Sequence, residues 1–172
     1  MPVVDSFLID HKKLPFPSLR IAKELFTSSG DVITVYDLRF CEPNKVFMPT
    51  KGIHTVEHLL AGYIRDYLAD NKDCKIIDVS PMGCHTGFYM SIIGQPNIDD
   101  IIVAWKKSME KILLADVVPA ANEYQCGAYK MHSLEEAKEI AKMVLSKEIV
   151  AVNSKDIMLD ISTIDPSIKL DL

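Results

Sequence analysis

From Val32 to Phe40 the chain alternates: Val32, Thr34, Tyr36, Leu38 and Phe40 share one side, and Ile33, Val35, Asp37 and Arg39 share the other. A period of two held over that length demands a β-strand, and a strand demands partners. Leu19 to Phe26 has the matching β-branched and aromatic content. Ser28-Ser29-Gly30-Asp31 between the two is turn chemistry, so the pair reads as a hairpin. A second hairpin is expected from Lys75–Ser80 and Thr86–Ile93, with Pro81-Met82-Gly83-Cys84-His85 turning between them. Arg39 then stands near a strand end on a half-apolar face.

Three other segments carry a helical period. After a loop with Pro43, Pro49 and Gly52, a helix is expected from about His54 to Leu68, ended by Asn71-Lys72-Asp73. Asn97 is a good N-cap with Asp99 and Asp100 in the first turn, which predicts a helix to about Leu114 burying Ile101, Trp105 and Met109. Ser133 with Glu136 makes a capping box for a last helix to about Lys147. Pro119–Gly127 follows neither period and is expected to be a loop, the kind of segment that often carries function. Residues 1–18, with Pro2, Pro15 and Pro17, read as an extended arm, and Ile149–Val152 could add a short strand. A chain of 172 residues fits a single domain, 1–172, with 148–172 as a C-terminal extension whose structure the pattern does not assign.

Charge bounds the partners of such a domain. Its 19 Lys and Arg against 24 Asp and Glu give −5 with no basic run, so no nucleic acid is expected. No apolar run reaches the roughly 18 residues that span a bilayer, and Met1-Pro2-Val3-Val4-Asp5 lacks the pattern of a signal peptide. A cytoplasmic location and no membrane partner are expected. Cys41, Cys74, Cys84 and Cys126 are then free thiols or metal ligands rather than a disulfide framework.

The chemistry concentrates in Lys51-Gly52-Ile53-His54-Thr55-Val56-Glu57-His58-Leu59-Leu60. On a helix His54, Glu57 and His58 project from one face, and two neutral imidazoles one turn apart can hold one divalent ion. The five residues alone are equally compatible with solvated side chains on a helix surface. A metal site needs a third protein ligand, and Cys126 before Gly127 is a candidate soft donor; a small buried thiol is the plainer reading. Two nitrogens and one sulfur leave one of four positions open for water or substrate, as in catalytic rather than structural sites. The H-x-x-E-H order also allows a metallopeptidase, with Glu57 activating water and a downstream glutamate as third ligand, or a non-catalytic metal-binding module.

Further stretches narrow the choice. Ser6-Phe7 with Asp10-His11, Asp37-Leu38-Arg39-Phe40-Cys41 with Pro43-Asn44, the His54–Leu60 stretch, Asp78-Val79-Ser80-Pro81-Met82-Gly83-Cys84, Thr86-Gly87-Phe88-Tyr89, and Pro119-Ala120-Ala121-Asn122-Glu123 with Gln125-Cys126-Gly127 stand in the order found in one family. Over residues 1 to about 147 the chain resembles the S-ribosylhomocysteine lyases, LuxS, which make the precursor of autoinducer-2. It departs at Phe16-Pro17-Ser18-Leu19-Arg20, where the family has Ala-Pro-Tyr-Val-Arg, so a role for that tyrosine does not carry over.

The resemblance implies an α+β fold: a four-stranded antiparallel sheet with helices on one face, its other face packed against the sheet of a second copy in a homodimer. It implies iron(II) held by His54, His58 and Cys126, with zinc or cobalt able to substitute, and active sites at the dimer interface. Ser6 and His11 would come from the arm of the other copy, and Arg39, Asp78 and Ser80 would lie near the ribose and homocysteine portions of S-ribosylhomocysteine. The expected reaction moves the ribose carbonyl twice and then eliminates homocysteine, without an organic redox cofactor. Glu57 and Cys84 are the expected acid/base pair, with Arg39 as the cation that favours the Cys84 thiolate. Cys41, Cys74, His85 and His132 are expected to be structural.

Overall fold

The computed structural model describes residues 5–72 and 74–160. Residues 1–4 of the expected arm, Asp73 at the expected helix end, and 161–172 of the extension lie outside them. The two hairpins form where strand composition and the turn residues between them place them. β1 (Ser18–Phe26) pairs antiparallel with β2 (Val32–Arg39), and β3 (Lys75–Pro81) with β4 (Gly87–Ile93). β2 and β4 join the hairpins, also antiparallel, with Asp37 opposite Tyr89 and Arg39 opposite Gly87. Glycine is required at that crossing, because a Cβ on Gly87 would run into the Leu38 carbonyl.

The sheet is nevertheless not the expected four-stranded antiparallel one. β5 (Val150–Ala151) adds a fifth strand, parallel to β1, giving a mixed sheet of order β3-β4-β2-β1-β5. Val150 N–H donates to Pro17 O at 3.2 Å and Val152 N–H to Leu19 O at 2.8 Å. A two-residue strand is too short to show alternation, so its pattern leaves it open and only the free edge of β1 decides it.

Three helices cover the face that carries Tyr36, Leu38 and Phe40, making a two-layer α+β fold: α1 (Thr50–Leu68), α2 (Ile98–Leu113) and α3 (Leu134–Leu145). Phe40 sits at its centre, with ring centroids 5.0 Å from both Phe88 and Trp105, all three fully buried. Each such side chain contributes about 1.5–3 kcal/mol by leaving water. Asn97 caps α2 by accepting from Asp99 N–H at 3.0 Å.

α1 begins four residues before its first histidine rather than at it. Pro49 occupies the N-cap without a capping side chain, and the missing partner comes from another helix: Gly52 N–H donates to the Glu136 carboxylate at 2.7 Å. Glu136 therefore does not complete the expected capping box. Ser133 Oγ accepts from Glu136 N–H at 3.2 Å, while Ser133 N–H turns to Thr55 Oγ1 at 2.8 Å. α3 crosses α1 at Gly52, where an added Cβ would lie 2.8 Å from Ile140 Cδ1 and 2.9 Å from Glu136 Cβ.

The opposite sheet face carries the polar chemistry. Register aligns Ser80, Tyr89, Asp37 and Arg20 in one row across four strands, with Arg39 and Asp78 in the rows on either side. Farther along the same face lie Ile33, Leu25 and Ile93, the last two largely exposed. The expected extended arm is instead folded: Asp5–Leu8 form a 3-10 turn, and Ile9 and Leu14 are buried beside Ile157.

Candidate metal centre and thiol site

α1 aligns His54 and His58 one turn apart, with ring centroids 4.8 Å apart and edge to face. Their orientation is set from outside the helix. His54 Nδ1–H donates to Met131 O at 2.9 Å and His58 Nδ1–H to Pro119 O at 2.8 Å. A carbonyl can only accept, so both Nδ1 atoms carry the proton and both Nε2 lone pairs are free. Backbone acceptors that fix a ring in this way are the usual support of a metal-ligating histidine.

The loop between α2 and α3 brings Cys126 to this pair: its Sγ lies 3.3 Å from His54 Nε2. Ala120, beside Pro119, has φ 56°, a left-handed conformation that turns the loop back toward His58. A fourth donor joins them. His132 Nε2 lies 3.8 Å from Cys126 Sγ, and its ring stacks on His54 with centroids 3.9 Å apart. Thr55 Oγ1, which donates to Lys51 O at 2.8 Å, is left to accept from His132 Nδ1–H at 3.2 Å. The donor atoms of His54, His58, Cys126 and His132 all lie within 4.8 Å of one another.

This donor set fits a divalent transition metal. Burial, then the neighbouring imidazoles His54 and His58, pull His132 down to about 4, so a neutral ring with a free lone pair is its state near neutral pH. Three nitrogens and one sulfur suit zinc, iron or cobalt. The cluster contains no carboxylate, in contrast to the third ligand that a metallopeptidase reading requires. His132 was expected to be structural. It stands next to the Ser133 cap, and only the fold reveals that the α3 N-terminus abuts Thr55.

Among the other expected site residues, Arg39 and Cys84 come together. Arg39 Nη1 lies 3.8 Å from Cys84 Sγ and also donates to Thr86 Oγ1, which is 3.1 Å from the same sulfur. Burial acts to raise the Cys84 thiol; hydrogen bonds from the Thr86 side chain and backbone, with the Arg39 charge, outweigh it and leave the thiol below its ordinary value. Cys84 is exposed, in contrast to Cys41, whose burial pushes its thiol up to about 11. The turn is fastened to the approach to α1 by Met48 N–H donating to His85 O at 2.9 Å, and His85 takes φ 59° within it.

Behind Arg39 is a buried charge network that the alternation did not single out. Asp37 Oδ2 accepts from Arg39 Nη2 at 2.8 Å and from Arg20 Nε at 3.0 Å, with all three residues buried. Asp78 and Ser80 lie together on β3, the Ser80 hydroxyl donating to the Asp78 carboxylate. Glu57 is half-buried on α1 beside His58. Ser6 lies in the Asp5–Leu8 turn, and His11 Nδ1–H donates to Ile9 O at 2.9 Å.

No helix of the described residues is long and apolar enough to cross a membrane. The family model for S-ribosylhomocysteinase (LuxS) matches residues 4–155, past the limit of about 147 expected from the motifs and through β5. With that match over nearly the whole chain, and an imidazole and thiol cluster assembled from α1 and the loop before α3, the protein belongs to the S-ribosylhomocysteinase (LuxS) family of carbon–sulfur lyases.

Proposed function

We propose that this enzyme cleaves S-ribosylhomocysteine to homocysteine and 4,5-dihydroxy-2,3-pentanedione, the autoinducer-2 precursor, in the cytoplasm. The observation that carries the reading is the convergence of Cys126 on the His54/His58 pair, with a second, ionisable thiol, Cys84, beside Arg39. His54, His58 and Cys126 would hold iron(II), with zinc or cobalt able to substitute. His132, stacked on His54 and held through Nδ1 by Thr55 Oγ1, would take a supporting position beside these three. When bound, the ion supplies Lewis-acid stabilisation to negative charge developing on a sugar oxygen.

The residues do the rest. Moving the ribose carbonyl from the first carbon to the second and then the third requires a proton to leave a carbon beside the carbonyl and return elsewhere. Cys84, as thiolate, takes and returns it on one side, and Glu57, on the helix that carries both histidines, does so on the other. With the carbonyl at the third carbon, the thioether at the fifth is β to it and leaves as homocysteine. Arg39, Asp78 and Ser80 bind the ribose and homocysteine portions from the open sheet face.

That face, with exposed Leu25 and Ile93, would pack on the same face of a second copy, whose arm contributes Ser6 and His11. Anaerobically iron-loaded protein should release homocysteine from S-ribosylhomocysteine without nicotinamide, and Cys126→Ala should abolish both metal and release. Absence of metal-dependent release from the native sequence overturns the reading.

A further inference from the structure

After β5 the chain does not leave the domain. It forms the 3-10 turn Ser154–Ile157 and then runs back against the N-terminal arm. Ile9 pairs with Met158 as an antiparallel bridge, Asp10 N–H donates to Ile157 O at 2.8 Å, and Leu159 N–H donates to Leu8 O at 2.8 Å. Ile9, Leu14 and Ile157 bury one another in a small cluster separate from the main core, with Val152 packed on it. The arm's own bonds are short-range: Lys13 N–H to Asp10 O at 3.0 Å and Lys12 N–H to the Asp10 carboxylate at 2.9 Å. These shape a turn; the apolar anchor comes from Ile157.

The same segment reaches the charge network. Ser154 Oγ donates to Ile21 O at 2.7 Å and accepts from Arg20 Nη1 at 3.3 Å. Arg20 shares Asp37 with Arg39, so one turn is tied both to the arm that bears Ser6 and His11 and to the guanidinium pair that ends at Cys84.

We infer that Val152–Leu159 is a latch: it positions the N-terminal arm, and with it Ser6 and His11, for substrate binding. Its residues are positioning residues that touch no substrate, and the inference rests on the lyase reading above. With a dimer, the arm each latch fixes is the one offered to the other copy's site. Within the charge network Ser154 touches Arg20 alone, and Asp37 holds both Arg20 and Arg39 without it, so loss of the latch acts on substrate affinity and leaves the proton-transfer groups in place.

Ile157→Asp places a carboxylate in the small cluster without touching the main core, and Ile157→Val keeps an aliphatic side chain there. A chain ending at Val152 removes the latch after its first residue and retains β5. For all three and the native enzyme, amide hydrogen exchange at Leu8–Lys13 is compared with that of α1–α3, and KM and kcat are measured by homocysteine release. Ile157→Asp and the truncation should raise arm exchange and KM each about ten-fold or more, with kcat within about two-fold and helix exchange unchanged, while Ile157→Val restores both. Unchanged arm exchange overturns the latch, as does raised arm exchange with unchanged KM, or a loss confined to kcat. If the native enzyme releases no homocysteine, the lyase reading falls by itself, and arm exchange in the same samples still decides whether Ile157 holds the arm.

Discussion

The Thr86 hydroxyl stands 3.1 Å from the sulfur of Cys84 while it accepts a hydrogen bond from Arg39 Nη1. With the guanidinium on its lone pair, the hydroxyl proton is free to point at the sulfur, and the bond it makes favours the thiolate over the thiol.

Thr86→Val removes this donor and should raise the Cys84 thiol. Because the native thiol lies below its ordinary value, its thiolate forms at lower pH; the variant should form it only at higher pH. A hydrogen bond to a charged group, worth about 1.5 kcal/mol, corresponds to about one pH unit. The midpoint of iodoacetamide alkylation against pH, followed on the Cys84 peptide by mass spectrometry, measures the shift. An unmoved midpoint would remove Thr86 from the account of this thiol.

The donor cluster spans α1 and the loop before α3, so an ion that binds it favours the folded state alone. At 100 times its Kd, such a ligand adds about 2.7 kcal/mol. Cobalt should raise the thermal midpoint, a chelator should lower it, and Cys126→Ala should lose most of the difference together with the sulfur-to-cobalt absorption band. A variant that keeps the band would show that Cys126 is not a ligand.

Asp37→Asn should destabilise the fold by about 3–5 kcal/mol, since it leaves two buried guanidinium groups, Arg20 and Arg39, without their shared counter-charge. Urea unfolding monitored at the buried Trp105 reads this directly. A loss below about 1 kcal/mol, the worth of an exposed pair, would mean the network is solvated.

Gly52→Ala sets a helix-propensity gain of about 1 kcal/mol against a methyl forced onto Ile140 and Glu136. Overpacking of this kind costs about 1–3 kcal/mol, so a net loss is expected. Ile140→Val in the same chain should recover part of it. Denaturant midpoints of the native protein and the two variants decide the matter, and a stabilised Gly52→Ala would show that α3 moves aside freely.

Alternation over Val32–Phe40, strand-forming composition with turn residues between, and the Ile101, Trp105 and Met109 stripe with its counterparts made both hairpins and all three helices legible, because these signals are local. The His54/His58 spacing was legible for the same reason. Cys126 was legible only as a candidate: a loop cysteine before Gly127 can donate sulfur, but nothing local ties residue 126 to α1, and the family's ordered motifs supplied that link. His132, the start of α1 and the Asp37 network were missed because each is settled by residues far away in sequence, Thr55, Glu136 and Arg20 respectively. β5 is not legible locally because two residues carry no period, and the free edge that receives it belongs to β1.

Glu136 supplies from α3 the acceptor that α1 lacks at its own beginning, and Met131 and Pro119 supply the acceptors that turn its two rings. The histidine pair is thus not a portable cassette. Excised as a peptide or transplanted onto a foreign scaffold, residues 50–68 would carry both imidazoles yet lack the groups that start their helix and choose their tautomers.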